Sequence, residues 1–496
     1  MMKIRKFTIG LAVALSSMMV FSSAAMAYTH TGGITTEYDI AFTSSKVTAN
    51  QSPWNSAYTS MLADANAGLL VTSHATATWN IPNAYSDPTG HQAGKLPMEI
   101  DAKAAYSTAL AYRYTGNTAY ANKARDLINS WATTNTNITG SDAPLVTAYL
   151  AVGLIKAAEI IKGYSGWSST DQNQFIAWVT NECLNKWDAI GQRNNWWDWS
   201  LYAQLSFYHF TDNSTAFAAE VANLKTQIDT SIDSQGFITD ETTRGANAMW
   251  YHYFALAPIT AAAEIVYNDT GEDLYNWTSP NGKSIKLALD KYFYYVNGHV
   301  AEWPYGGTQN FANPMVANKW PVDLFEAMAE VYQDPNYESY VAPYRPITAN
   351  VNSNSGYYLS YSWMYPTLLK STTKVEAENY SGQSGIVVAA TADVGGGSKV
   401  GQTANNDYVY YNNVNFGSGV SNIRFRYATA NTNATLELRS GSTTGTLLGS
   451  VSLAGTGSWT SYKTATVPVT GASGMKNLYI VFKGGTSVAD LNWFTY

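Results

Sequence analysis

Two segments of the chain concentrate groups able to do chemistry, Gln192-Arg-Asn-Asn-Trp-Trp-Asp-Trp199 and Glu241-Thr-Thr-Arg-Gly-Ala-Asn-Ala-Met-Trp-Tyr-His252. Arg244 and Tyr251 are seven residues apart, so a helix containing both carries a cation and a phenol about two turns apart on one face. Such a pair suits β-elimination in a polymer of uronic acids. The sugar's C5 proton is weakly acidic, so donors must stabilise the charge that develops on the adjacent carboxylate. A base must take that proton, and an acid must protonate the leaving oxygen at C4. Asn195 and Arg244 fit the first task. Tyr251, its phenol made more acidic by a neighbouring cation, fits the role of base, acid or both. Trp196 and Trp197 offer flat faces for sugar rings, whereas Trp199 reads as core.

These groups need a scaffold, and the pattern around them is helical. Asp101 to Tyr114 places Ala102, Ala105, Tyr106, Ala109 and Leu110 on one helical face before Thr115-Gly116-Asn117 stops it. Further helices are predicted over Thr118 to Trp131, from the Asp142 cap and Pro144 to Ile161, and over Ser168 to Leu184. Others follow at Leu201 to Phe210, Ser214 to Ile232, Ala246 to Tyr267, Ile285 to Val296, Val322 to Tyr332 and near Tyr357 to Leu369. About ten helices with short turns and no alternating strands predict stacked helical hairpins, an incomplete (α/α) toroid over residues 28 to 371. Cys183, the only cysteine, reads as a buried thiol that forms no bridge.

Past residue 373 the grain changes. Asp407-Tyr-Val-Tyr-Tyr411, Ile423-Arg-Phe-Arg-Tyr427 and Leu478-Tyr-Ile-Val-Phe482 alternate apolar and polar residues between Gly, Ser, Thr and Asn. That predicts an antiparallel, jelly-roll-like β-sandwich over residues 374 to 496, making the chain multidomain, all-α followed by all-β.

At the other end, Lys3, Arg5 and Lys6 precede an apolar run from Ile9 to Val20 and small residues up to Ala27, which reads as a secretory signal peptide over residues 1 to 27 and predicts a secreted, extracellular protein. No other stretch reads as a membrane span. A net charge of -7 argues against nucleic acid and membrane surfaces, which ask for a basic face, but leaves room for an acidic polysaccharide held by a few local cations. A modular secreted chain needs no partner, so a monomer is expected.

Among the histidines, His91 lies in the Gly-rich stretch Asp87-Pro-Thr-Gly-His-Gln-Ala-Gly94 and is a candidate to enter the cleft and bind substrate, while His252 points about 100° around the helix from Tyr251 and reads as packed. No HxxH, HExxH or cysteine pair occurs, so no catalytic metal or other catalytic cofactor is expected. A glycoside hydrolase on the same toroid would need two facing carboxylates from Asp87, Glu99, Asp101, Asp198, Asp240 and Glu241. A glycan-binding protein without activity is the third reading.

The stretch Arg244 to Leu256, as Arg-Gly-x-x-Ala-x-x-Tyr-His-x-x-Ala-Leu, resembles the arginine and tyrosine motif of the alginate lyase superfamily, and Asp101-Ala-Lys-Ala-Ala-Tyr with Leu110-Ala-Tyr-Arg-Tyr-Thr-Gly-Asn117 resembles its early helices. The resemblance covers most of residues 98 to 332. It implies a toroid in which Asn195 neutralises charge, Arg244 contacts the substrate carboxylate and Tyr251 is the catalytic acid or acid-base, acting on alginate or a related polyuronate to give unsaturated oligosaccharides. Where alginate lyases of the type it resembles carry Asn-Asn-His, this chain has Asn194-Asn195-Trp196, which resembles instead the chondroitin and hyaluronan lyases. Glucuronan and glycosaminoglycans therefore stay open as substrates.

Lys374-Val-Glu-Ala-Glu-Asn-Tyr380, Gly457-Ser-Trp459 and Asp490-Leu-Asn-Trp-Phe494 resemble a family 6 carbohydrate-binding module. That resemblance implies a structural calcium on Glu376, Glu378 and Asp490, and a sugar cleft in which Trp459 and Asn492 match the second ring and the amide, with Gln402 where the family places the first ring.

Overall fold

The computed structural model describes residues 28, 30–311, 320–348, 361–370, 374–393, 397–416, 419–420 and 422–496. The expected signal peptide lies outside them.

Thirteen α-helices occur among the described residues: α1 (Glu37–Thr48), α2 (Trp54–Leu69), α3 (Pro88–Thr115), α4 (Thr118–Thr134), α5 (Ala143–Ile161), α6 (Ser169–Trp178), α7 (Asn185–Asp188), α8 (Asn195–Phe210), α9 (Ser214–Ser231), α10 (Ala248–Thr270), α11 (Ile285–Val296), α12 (Val322–Tyr332) and α13 (Pro335–Val341). Helices α3, α5, α8 and α10 pack each against the next, while α4, α9 and α11 flank them. The inner helices are apolar on nearly every side because they are enclosed on every side. This explains α5, which is long and apolar enough to cross a membrane yet is 89% buried in the protein. The sequence expectation that no segment after residue 27 has that character is corrected here, since a toroid's inner helix has the composition of a span without being one.

The first two helices fall where no pattern was read, because α1 and α2 are rich in Ser, Thr, Ala and Asn and bury only a few residues each. Helix α3 starts at Pro88, thirteen residues before the expected Asp101. Asp87 caps it by accepting the Gly90 amide, and Pro88 occupies the first turn, so the Gly-rich stretch is helix rather than loop. Gly94 is needed there, since a Cβ would come within 2.4 Å of the Asn80 carbonyl on the strand β1 (Thr78–Asn80). That strand pairs in parallel with β2 (Asn137–Thr139).

The short helix expected near Tyr357 to Leu369 is absent from its described part, residues 361–370, which form bends and turns. Here the chain plugs the toroid. Tyr361, Trp363, Met364 and Tyr365 are buried, and the carbonyls of Tyr361 and Ser362 accept from the Lys156 ammonium instead of from helical amides. Trp363 donates to the Thr260 hydroxyl and Tyr361 to the Glu99 carbonyl.

The second region is all-β. After β3 (Lys374–Glu376), β4 (Gly382–Ser384), β5 (Val387–Ala390) and β6 (Ser398–Gly401) come β7 (Tyr408–Asn415), β8 (Asn422–Ala428), β9 (Thr435–Ser440), β10 (Thr446–Ser452), β11 (Lys463–Pro468), β12 (Met475–Lys483) and β13 (Asp490–Thr495). Two sheets form, β10-β9-β12-β7-β4 and β11-β8-β13-β6-β5, with β3 on β13. In β8 and β9 alternate side chains, including Phe425, Leu436 and Leu438, turn inward to a core shared with Ile480, Phe482 and Phe494.

Candidate active site

The groups singled out by spacing meet at the N-terminal end of α8 and α10. Helix α10 begins at Ala248, so Arg244 precedes it, between two 3-10 turns, and the same-face argument does not apply as written. The guanidinium reaches Tyr251 by folding back, with its carbon 4.7 Å from the ring centroid. The Tyr251 hydroxyl lies 2.7 Å from that of Tyr85. These residues wall a cavity of about 100 Å³ with His91, Asp142, Tyr149, Trp196 and Trp250. Larger cavities of about 300 and 830 Å³ border the β-region, and neither is lined by Asn195, Arg244 or Tyr251.

Tyr85 is 74% exposed and was not found from sequence. It sits in a turn in which the Asn83 side chain accepts the amides of Tyr85 and Ser86. That turn is pinned by Asp142, at the start of α5, whose carboxylate accepts from Asn83 Nδ2 and the Ala84 amide at 2.9 and 2.8 Å. Asp142 stands at the cap position as expected, but its side chain caps no helical amide. The signal in the sequence, Asn83 two residues before a tyrosine, marks a turn and gives no hint that the turn faces Tyr251.

Behind the cleft, Glu241 is fully buried and organises both predicted contacts of the substrate carboxylate. One oxygen accepts the backbone amide and the side-chain amide of Asn195, both at 2.8 Å, and the other accepts from Arg244 Nε at 3.0 Å. Burial alone would make the Arg244 guanidinium easier to deprotonate, and the Glu241 charge reverses that and raises its pKa. Asn195 itself is fully buried with its amide donor turned onto Glu241, and it does not line the cavity. Sequence aims it at substrate; the structure sets it one layer back, where α8 starts and the Asn194 side chain caps Trp196. Next to it, burial and then the nearby carboxylates Glu241 and Asp240 hold Asp198 well above the ordinary carboxylate range, against the opposing effect of the Gln227 hydrogen bond.

The two tryptophans part company. Trp196 lines the cavity, whereas Trp197 is 8% exposed and packs beneath the Arg193 guanidinium, 4.0 Å from its ring centroid. Consecutive helical residues point about 100° apart, so one facing the cleft turns its neighbour away. Trp199 is fully buried, in line with its reading as core. His91 lies in the first turns of α3 and lines the cavity. Its Nδ1 donates to the Pro82 carbonyl at 2.9 Å, and burial lowers its pKa, so the neutral ring keeps Nε2 as an acceptor.

His252 is packed, as its angle implied. Its Nδ1 donates to the Ala248 carbonyl and its Nε2 accepts the Ile238 amide. Burial holds its pKa down to about 4. Because the folded value lies below the unfolded one, neutral His252 contributes in full above about pH 6.5, and its contribution is lost as pH falls through about 4. Unfolding of the wild type across this range should lose about 3 kcal/mol more than that of His252→Gln. Parallel acid limbs in the two thermal melting profiles would count against this.

In the β-region, Trp459 is half-buried on a turn. Asn492 is 3% exposed and donates to Asp393 at 2.8 Å, and Asp393 also holds Arg426. The three carboxylates expected to share a calcium do not converge. Asp490 is paired with Lys399 and Glu376 with Lys374, and the described residues contain no carboxylate cluster there close enough to hold one ion. Asp490 leads β13, whereas the β13 residue opposite Glu376 is Trp493, so the pairing register separates the first from the last of them. Glu378 has one buried oxygen with no hydrogen-bond partner, as an ion ligand would.

Comparison with known proteins fits this architecture. An alginate lyase from Bacteroides ovatus has a similar structure, with a TM-score of 0.52 and 18% identity over 66% of this chain and 99% of that one. The family 6 carbohydrate-binding module matches residues 376–496. The chain is 32% identical to an endo-1,4-beta-xylanase A of Thermoclostridium stercorarium across 124 residues, 25% of this chain and 18% of the xylanase. It is also 28% identical over 213 residues to an arabinoxylan arabinofuranohydrolase of Paenibacillus polymyxa, 39% of this chain and 32% of that protein. The chain thus spans less than a third of the length of these curated relatives. The alginate lyase family model matches residues 44–303, just over half of the chain and all of the cleft described above. The chain therefore belongs to the alginate lyase family and carries a family 6 carbohydrate-binding module.

Proposed function

We propose that this lyase cleaves alginate or a related polyuronate by β-elimination between C4 and C5, releasing unsaturated oligosaccharides. The observation that carries the reading is the Tyr85–Tyr251 hydroxyl pair, set beside the Arg244 guanidinium in a cleft walled by Trp196 and Trp250. Arg244 binds the uronate carboxylate and stabilises the charge that forms as the C5–H bond breaks. A cation over the Tyr251 ring and a hydroxyl donor at its oxygen both favour negative charge on that oxygen. Tyr251 takes the C5 proton as the C4–C5 double bond forms, and returns it to the oxygen leaving C4. Asn195 acts through Glu241 in fixing Arg244, and neutral His91 accepts from a sugar hydroxyl where the family's histidine is replaced by Trp196.

A hydrolase would need a second carboxylate across the bond. The described cleft wall supplies only Asp142, already engaged by Asn83, Ala84 and His91, which favours elimination. The deciding experiment incubates the full chain with alginate, glucuronan, hyaluronan and chondroitin separately, and follows the ultraviolet absorbance of the new conjugated double bond. A rise names the substrate. New reducing ends without any rise would sink elimination.

The reading extends to secretion, with residues 1 to 27 as a removed signal peptide, to a monomer, and to a module that holds the enzyme on its glycan through Trp459. Calcium belongs to the module at Glu378, whose buried oxygen lacks a partner, and not through Asp490. Removing calcium with a chelator should lower the module's melting temperature by at least a few degrees, reversibly, and Glu378→Gln should abolish the effect. An unchanged melting profile would remove calcium from the account.

A further inference from the structure

At the far end of α8 from the cleft, about 21 Å along the helix from Asn195, a second cluster of chemistry-bearing side chains has no part in the reaction described. His30, on the segment before α1, places Nδ1 2.8 Å from Glu159 Oε2 on α5, and His209, near the end of α8, places Nε2 3.2 Å from Glu159 Oε1. One ligand atom from each residue lies within 4.8 Å of the others. Glu159 and His209 are 6% and 2% exposed.

We propose that His30, Glu159 and His209 form a structural site for a divalent transition metal of the zinc class. Two imidazoles and a carboxylate suit that ion, and a tetrahedral site with metal–ligand bonds of about 2.1 Å needs ligand atoms about 3.4 Å apart, close to the spacing seen. Two independent features support it. Each imidazole has a carboxylate at its other nitrogen: Asp269 lies 2.7 Å from His209 Nδ1, and Asp212 lies 3.2 Å from His30 Nε2. At His209 this arrangement fixes the metal-binding tautomer, whereas at His30 the Lys162 ammonium, 2.6 Å from Nε2, must withdraw before that nitrogen carries the proton. Second, His209 Nε2 is buried without a hydrogen bond, although Glu159 is near, and it faces a cavity of about 20 Å³ that Glu159 also lines. That is room for one small ion or the water completing its shell.

Binding displaces the proton that His30 Nδ1 shares with Glu159 and any proton carried on His209 Nε2. Lys162, which also approaches His30 Nε2, keeps its bonds to the Phe210 carbonyl and to Asp212. The site fastens the beginning of the described chain across the ends of α5 and α8, so its effect falls on stability and leaves turnover unchanged.

The test titrates the chelator-treated full chain with zinc by calorimetry, and with cobalt by its visible spectrum. One zinc per chain should bind, the melting temperature should rise with zinc, and cobalt should give the intense bands of a tetrahedral site. His30→Ala, at the edge of the cluster, should weaken zinc at least tenfold, and Asp269→Asn by about 10- to 100-fold. If His209→Gln fails to fold, these two variants carry the test. Absence of zinc binding, or equal affinity in wild type and His30→Ala, overturns the proposal and leaves the cluster as a proton-linked ion-pair network.

Discussion

Tyr251→Phe should lower kcat by about 10³-fold while leaving the fold and substrate affinity nearly intact, because in the proposed mechanism it removes the one oxygen that both receives and returns the transferred proton. The ring stays, so the contact with Arg244 at 4.7 Å and the edge-on contact with Trp250 should be preserved. Steady-state kinetics on the preferred polyuronate, beside a thermal melt, separate loss of chemistry from loss of structure. Tyr85→Phe provides the contrast. It removes only the hydroxyl that meets Tyr251, so its loss should be about tenfold, seen mainly in kcat. If Tyr251→Phe kept a tenth or more of wild-type activity, the acid-base role would pass to another group, and neutral His91 would be examined first.

The second large effect is expected away from the cleft surface. Glu241→Gln keeps the size of the side chain and removes its charge, so the buried link between Asn195 and Arg244 loses its strength at both ends. A small displacement of a charge-stabilising group costs about 10²-fold in rate, and kcat/KM should fall by roughly that factor. A merely structural role would lower the melting temperature alone. The positioning role predicts that KM also rises, since a loosened Arg244 holds the substrate carboxylate less well. Glu241→Ala should be harsher, because removing one partner from a buried charged pair costs about 3–5 kcal/mol. Wild-type kcat/KM in Glu241→Gln would show that Arg244 is held by other contacts.

Much of the architecture was legible because it rests on local chemistry. Helices such as Ile285–Val296 and Val322–Tyr332 were bounded correctly from apolar spacing and turn residues alone. The change of grain after residue 373 marked the passage to strands because alternation has a period that no helix shares. The family motif around Arg244 and Tyr251 was readable for the same reason, since its residues sit within one short stretch of chain.

What was not legible depended on distant contacts. Whether Trp196 or Trp197 faces the cleft depends on how α8 is rotated against its neighbours. Sequence could not turn the Asn195 amide toward Glu241, 46 residues away, or bring Tyr85 to Tyr251 across 166 residues. The carboxylates assigned to calcium failed to converge because strand register, a property of the folded sheet, sets which side chains are neighbours. Sequence by itself determined the two kinds of domain, the family and the arginine–tyrosine pair, because periodicity and motif are local. Only the tertiary structure decided which groups face the substrate and which stand behind them, because packing fixes each helix's rotation and each buried polar group must find its partner in three dimensions.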